Sequence, residues 1–120
     1  PYVLPLNFVR QGQALYIHCA PEGHKLDCIR QNPRVAFTLM GDVTIHREKS
    51  TTYFKSLCGK GTACIVEDEA EKGRALDAIA QRYAALCPQP TPKSSIKRTA
   101  IVRIDIEELT GKRNLPSGAA

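Results

Sequence analysis

The chain has no tryptophan, a single methionine, and only three phenylalanines and four tyrosines in 120 residues. Aromatic rings interleaved with basic side chains are the usual platform for stacking nucleic-acid bases. Their scarcity argues against a nucleic-acid partner, even though the net charge is +5. No apolar run approaches the length of a membrane-spanning helix, so no membrane partner is expected. The five cysteines, Cys19, Cys28, Cys58, Cys64 and Cys87, are odd in number and contain no Cys-x-x-Cys pair. That pattern fits free thiols in a reducing compartment, and a cytoplasmic location is the expectation. No Ser-His-Asp set and no pair of catalytic carboxylates can be argued from spacing. The chain starts at Pro1-Tyr2 without a methionine or leader. The expectation is therefore that an N-terminal segment of a longer protein is missing.

What is present suits one small domain over residues 1–120, with 114–120 as a flexible tail. A hydrophobic content of 42% supports a modest core, and a chain this short gains from burying more surface against a second copy. Charge is clustered. Glu67 to Glu71 is acidic, whereas Lys93, Lys97, Arg98 and Arg103 form a basic group, as do Lys112 and Arg113. A moderate positive excess suits anionic ligands in general, and a plain solvated surface accounts for it equally.

Hydrophobic patterning gives the order β-β-α-β-β-α-β. Tyr2 to Val9 and Ala14 to Ala20 read as strands joined by a glycine turn at Arg10 to Gln13. Glu22 to Gln31 reads as a short helix that Asn32-Pro33 stops. Arg34 to Met40 is the next strand, Ile45 to Ser50 has no clear pattern, and Thr51 to Val66 is long and β-leaning, with Gly59 and Gly61 marking a bulge or close approach. Glu69 to Leu86 is an amphipathic helix with Leu76, Ile79, Ala80, Tyr83 and Leu86 on one stripe. Its acidic start complements the helix dipole. Pro88, Pro90 and Pro92 read as an extended linker, and Thr99 to Ile106 as the last strand. Few helices alternate with many hairpin-linked strands, which excludes a doubly wound fold and favours a mainly β protein, a small β-barrel with peripheral helices.

The run from Tyr16 to Lys25 holds the most chemistry. A strand there delivers Gly23, Lys25 and a helix start to one point, a plausible anion cradle. An ordinary surface lysine is the competing reading of Lys25, because isolated phosphate motifs are weak signals. His18 sits on the strand between Ile17 and Cys19. It is either a group for hydrogen bonding and proton transfer near neutral pH or a structural histidine. His18, Cys19, His24 and Cys28 are four metal-type donors in a short stretch. Adjacent strand residues point to opposite faces, so they do not converge, and no metal site is expected.

Four stretches, in order along nearly the whole chain, carry a family resemblance: Pro1 to Phe8; Tyr16 to Lys25 with Asn32-Pro33 and Val35; Tyr53 to Gly61 followed by the acidic run and Glu71-Lys72; and Arg103 to Lys112. The chain resembles the pyridoxamine 5′-phosphate oxidase-like, FMN-binding split-barrel proteins, and most of all the branch that includes the nitroimidazole-resistance proteins. The resemblance implies an antiparallel, six-stranded Greek-key barrel and a homodimer with FMN at the subunit interface. It implies that Pro5, Leu6, Asn7 and Phe8 lie against the flavin ring. His18, Cys19 and Ala20 match the strand beneath the ribityl phosphate, and Gly23, His24 and Lys25 match the phosphate turn. Tyr53, Ser56, Leu57 and Cys58 match a strand that completes the site. Two positions depart from the pattern. Cys19 replaces a hydroxyl residue with a weak hydrogen-bond donor, and Leu57-Cys58 replaces a valine and an apolar residue. The function implied is an FMN-dependent oxidoreductase acting on a small molecule, with reduction of a nitroaromatic to its amine as the reaction to test. His18 is the side chain expected nearest that substrate. The alternative is a non-catalytic flavin- or haem-binding module on the same fold.

Overall fold

The computed structural model describes residues 1–85 and 97–117. Among the described residues, five strands and two helices follow one another as β1 (Val9–Gln11), β2 (Ala14–Cys19), α1 (His24–Gln31), β3 (Arg34–His46), β4 (Thr51–Ile65), α2 (Glu69–Arg82) and β5 (Ala100–Asn114). The strands form one antiparallel sheet in the order β1-β2-β5-β4-β3. The element order is the one the patterning predicts, and the protein is mainly β. Five strands appear among the described residues where six were expected, and β1 and β3 are not neighbours.

The elements begin and end for local reasons. Gly12 takes a positive φ of 61° in the turn between β1 and β2, a conformation that glycine adopts without a Cβ penalty. Asn32 is forced into extended backbone by Pro33 and ends α1, while its side-chain oxygen accepts from the Arg34 N–H at 3.1 Å. Asp68 caps α2, with its carboxylate accepting from the Glu71 N–H at 3.0 Å, so part of the acidic run serves the helix start.

The proximal half of the sheet is covered on both faces. On one face α2 packs Ala75, Leu76 and Ile79 against Val9, Val66 and Ile101. On the other, Leu26 of α1 packs with Ile17, Ala63, Ala100 and Val102. Alternation along β2 and β5 separates the two sets, since Ile17 pairs with Val102 and His18 with Ile101. Above the α2 face, Glu71 accepts hydrogen bonds from the Tyr16 hydroxyl at 2.9 Å and from the Arg103 guanidinium. Burial and the Glu71 carboxylate push the Tyr16 phenol up, and the Arg103 hydrogen bond is the main force holding Glu71 below the usual carboxylate range.

Beyond Gly61 the sheet continues as an arm of β3, β4 and β5 with neither helix over it. Its large side chains Met40, Val43, Ile45, Leu57 and Leu109 are exposed. In the register Phe37 lies opposite Gly59, and a Cβ added at Gly59 would fall 2.1 Å from the Phe37 ring. Gly61 sits at a register shift in the β4–β5 pairing, where a Cβ would meet the Asp105 carbonyl oxygen at 2.2 Å.

Four expectations need correction. Tyr2 to Phe8 forms no strand, and only Val9–Gln11 pairs with β2. The strand expected to stop at Met40 runs on to His46, because Gly41 and Asp42 are absorbed as a register shift with Asp42 at φ 52°. The strand expected to stop at Ile106 reaches Asn114, whose amide donates to the Thr52 carbonyl at 2.8 Å, so the tail does not begin at Asn114. Helix α2 ends at Arg82. Leu86, Cys87, the proline linker, Lys93 and residues 118–120 lie outside the described residues.

Candidate functional site

A cavity of about 200 Å³ lies where β2 hands over to α1. Cys19 and Ala20 line it from the end of β2. Gly23, His24, Lys25 and Leu26 line it from the start of α1. Tyr2 and Leu4 close it from the N-terminal segment, and Glu22 is its one acid. Gly23 takes φ 151° and ψ 172°, and nothing stands within 4 Å of where its Cβ would be. Glycine therefore both permits the turn and leaves its backbone open to a ligand.

The start of α1 has no side-chain cap. The N–H groups of the first turn have no partner inside a helix, so their dipoles remain free at the cavity wall. The half-buried Lys25 adds a cation at the same wall. Together these donors fit a phosphate, and this chemistry is what the cavity offers a phosphate-bearing ligand. Small-molecule sites commonly run to roughly 300–1,000 Å³, so this cavity within one chain has room for only one end of a nucleotide-sized ligand. The Tyr2 ring packs edge-on against His24 with centroids 4.8 Å apart, and His24 Nε2 meets Cys28 Sγ at 3.4 Å. His24 is thus held from two sides at the cavity mouth.

Of the residues singled out in the sequence, Cys19, Ala20, Gly23, His24 and Lys25 come together around this cavity. Pro5, Leu6 and Asn7 are exposed on the segment that leads away from it, and Phe8 is half-buried at that segment's far end. His18 is exposed on β2 and does not line the cavity. Tyr53, Ser56, Leu57 and Cys58 lie on the arm and do not line it in this chain. Thr38 donates to the Leu57 carbonyl at 3.0 Å, and the Cys58 thiol approaches the Thr38 hydroxyl at 3.8 Å. Sequence reasoning missed Tyr2 and Leu4 as cavity residues, since an apolar run reads as a strand. It also missed the partner of Tyr83, whose hydroxyl contacts Phe8 across 75 residues of sequence.

The sequence profile of the pyridoxamine 5′-phosphate oxidase family matches residues 1–113, and the chain belongs to that family. It is similar to the structure of a candidate 5-nitroimidazole antibiotic resistance protein from Bacteroides thetaiotaomicron, with 26% identity, 92% of this chain and 68% of that one covered, and a TM-score of 0.78. It is similar to an FAD-binding protein from Mycobacterium smegmatis at 26% identity, covering 93% of this chain and 75% of that one, with a TM-score of 0.61. A flavocytochrome from Azotobacter vinelandii shares the fold at 24% identity, with 97% of this chain, 57% of that one and a TM-score of 0.72. No curated protein matches the chain. No helix among the described residues is long and apolar enough to cross a membrane.

Proposed function

We propose that the chain is an FMN-binding flavoprotein that works as an oxidoreductase on a small molecule, with a nitroaromatic such as a 5-nitroimidazole as the substrate to test first. The observation that carries this reading is the convergence of Gly23, the uncapped first turn of α1 and Lys25 on one cavity, in a chain of this family. Bound there, the flavin supplies reversible two-electron chemistry. The chain's own part is to hold and orient it. The first-turn N–H groups of α1 and the Lys25 ammonium grip the phosphate. Cys19 gives that phosphate only a weak donor, so Lys25 and the backbone carry most of the grip. The backbone of Pro5 to Phe8 serves the ring, and the His18 imidazole is the group for proton transfer to the substrate. Reducing a nitro group to an amine takes six electrons and six protons and releases two waters; a reduced nicotinamide is the electron donor to test.

The same reading takes the protein as a homodimer. The cavity is too small for a whole flavin nucleotide, and the arm exposes apolar side chains on β3, β4 and β5. Both points support a site completed by Tyr53, Ser56, Leu57 and Cys58 of the partner subunit, and a six-stranded Greek-key split barrel completed in that assembly. A second reading, with FAD in place of FMN, is favoured by the 26% identical FAD-binding protein. The non-catalytic module is separated from the enzyme by turnover.

The test is a visible spectrum of the purified protein, before and after reconstitution with FMN and with FAD. A flavin band bleached by a reduced nicotinamide and restored by a nitroaromatic supports the enzyme. Flavin binding without turnover supports the module, and failure to take up any flavin sinks both. Lys25→Glu is expected to weaken FMN binding by at least about tenfold, since it removes a charged hydrogen bond and adds a repulsion. Unchanged affinity would take Lys25 out of the site. A monomer that still holds flavin in light scattering would contradict the shared site.

A further inference from the structure

Among the described residues the N-terminal segment has no strand partner. Residues 1–8 belong to no ladder, and Pro5, Leu6 and Asn7 are exposed. Yet the segment is fastened at both ends. At one end Tyr2 packs on His24 at the cavity. At the other, the Tyr83 hydroxyl accepts from the Phe8 N–H at 3.2 Å and donates to the Phe8 carbonyl at 3.2 Å. The Arg82 Nε–H donates to the Tyr83 hydroxyl oxygen at 3.3 Å. One donor and two acceptor sites are the whole capacity of a phenol oxygen, and all three are used. The Arg82 guanidinium also lies 4.4 Å over the Phe8 ring, an attractive placement for a cation on an aromatic face.

One hydroxyl can reach both backbone groups of Phe8 only if they point to the same edge, as they do in a strand. Tyr83 thus takes the place of a neighbouring strand at a single residue. In extended chain the edges alternate, so fastening Phe8 by one edge would leave the N–H and C=O of an extended Asn7 on the other. The Tyr83 ring is anchored in turn, since it packs on the core formed by Val9, Leu76 and Ile79.

We infer that Tyr83 is a positioning residue: its hydroxyl sets which backbone edge of Leu6 to Phe8 is presented to the flavin ring. This rests on the flavin reading above. Tyr83 touches no substrate and holds no phosphate; it acts through the segment.

Tyr83→Phe keeps the ring and removes only the hydroxyl, and two readouts follow. In the flavin-free protein, the Phe8 amide is expected to exchange with deuterium about tenfold faster in the variant, because its acceptor is gone. In the loaded protein, FMN is expected to bind about tenfold more weakly, with a shifted flavin absorption band, while the affinity for inorganic phosphate stays at the wild-type value. Equal loss of phosphate and FMN binding would make Tyr83 merely structural and overturn the assignment. Wild-type flavin affinity and spectrum in the variant would overturn it too, and would leave the flavin reading intact. A wild-type protein that takes up no flavin would bring down both, and a wild-type exchange rate at Phe8 in the variant would remove the clamp itself.

Discussion

The same three strands run through two very different surroundings. In their proximal parts β4 and β5 lie between two helices, and Ile101 and Val102 are fully buried on opposite faces. In the arm the strands pair over many more residues, yet Met40 is 76% and Ile45 74% exposed. Strand pairing is thus not what the arm lacks. What differs is apolar burial, the larger stabilising term in most folds. The proximal half therefore supplies the stability, and the arm offers a surface.

Core truncations give the sharpest contrast. Leu26→Ala, at 1% exposure between α1 and the sheet, is expected to cost about 2–4 kcal/mol in denaturant unfolding. Leu109→Ala, at 49% exposure on the arm, is expected to cost under about 0.5 kcal/mol in the monomer. If the two costs came out equal, the division between halves would fail. If Leu109→Ala shifts a dimer toward monomer in light scattering, the arm's role as an interface is sharpened.

Gly61→Ala probes the boundary between the halves. Its methyl would collide with the Asp105 carbonyl, and backbone has little room to yield. A cost of about 1–3 kcal/mol is expected, read as a lower unfolding midpoint. A neutral result would mean that the register shift between β4 and β5 can relax.

A smaller effect than that of Gly61→Ala is expected at the polar clamp over the proximal half. Glu71 is held below its ordinary range, first by Arg103, with Tyr16 and Arg74 adding to it against the effect of burial. A depressed carboxyl stabilises the fold above its unfolded value and loses that contribution as pH falls through its folded value. Glu71→Gln is therefore expected to cost about 1–2 kcal/mol at pH 7 for this partly exposed pair. The gap to wild type should narrow and then close as pH falls below the ordinary carboxylate range and through the lowered folded value. A gap that persisted in acid would assign the loss to packing.

Much of the proximal half is legible in the sequence, because burial imprints a period. Leu76, Ile79 and Tyr83 mark one helix face, and Ile17 and Val102 alternate with His18 and Ile101. The order of elements and the family follow from such runs. Past Leu39 on β3 and Ile106 on β5 burial no longer alternates, so nothing in Glu107 to Arg113 announces a strand, and Gly41-Asp42 looks like a turn when it is a bulge. Tyr2 to Phe8 fails in the opposite sense. Its residues favour a strand, but among the described residues no neighbour pairs with them, and side chains at the start of α1 and just past the end of α2 hold the segment. The cavity is half legible: Gly23 and Lys25 announce themselves by type, whereas Tyr2 and Leu4 arrive there only through the fold.

An arm without a core has no hydrophobic set to punish a sliding strand, and the Phe37 ring over Gly59 answers that problem. Slipping β3 by one residue would press the ring toward Cys58 or Lys60 and turn its side chains to the other face. Slipping by two would set it against Leu57 on one side. On the other it would meet Gly61, where the Asp105 carbonyl already occupies the space a side chain would need. The ring and the glycine act as a tooth and its notch, and this one fitting keeps the long hairpin in step where packing cannot.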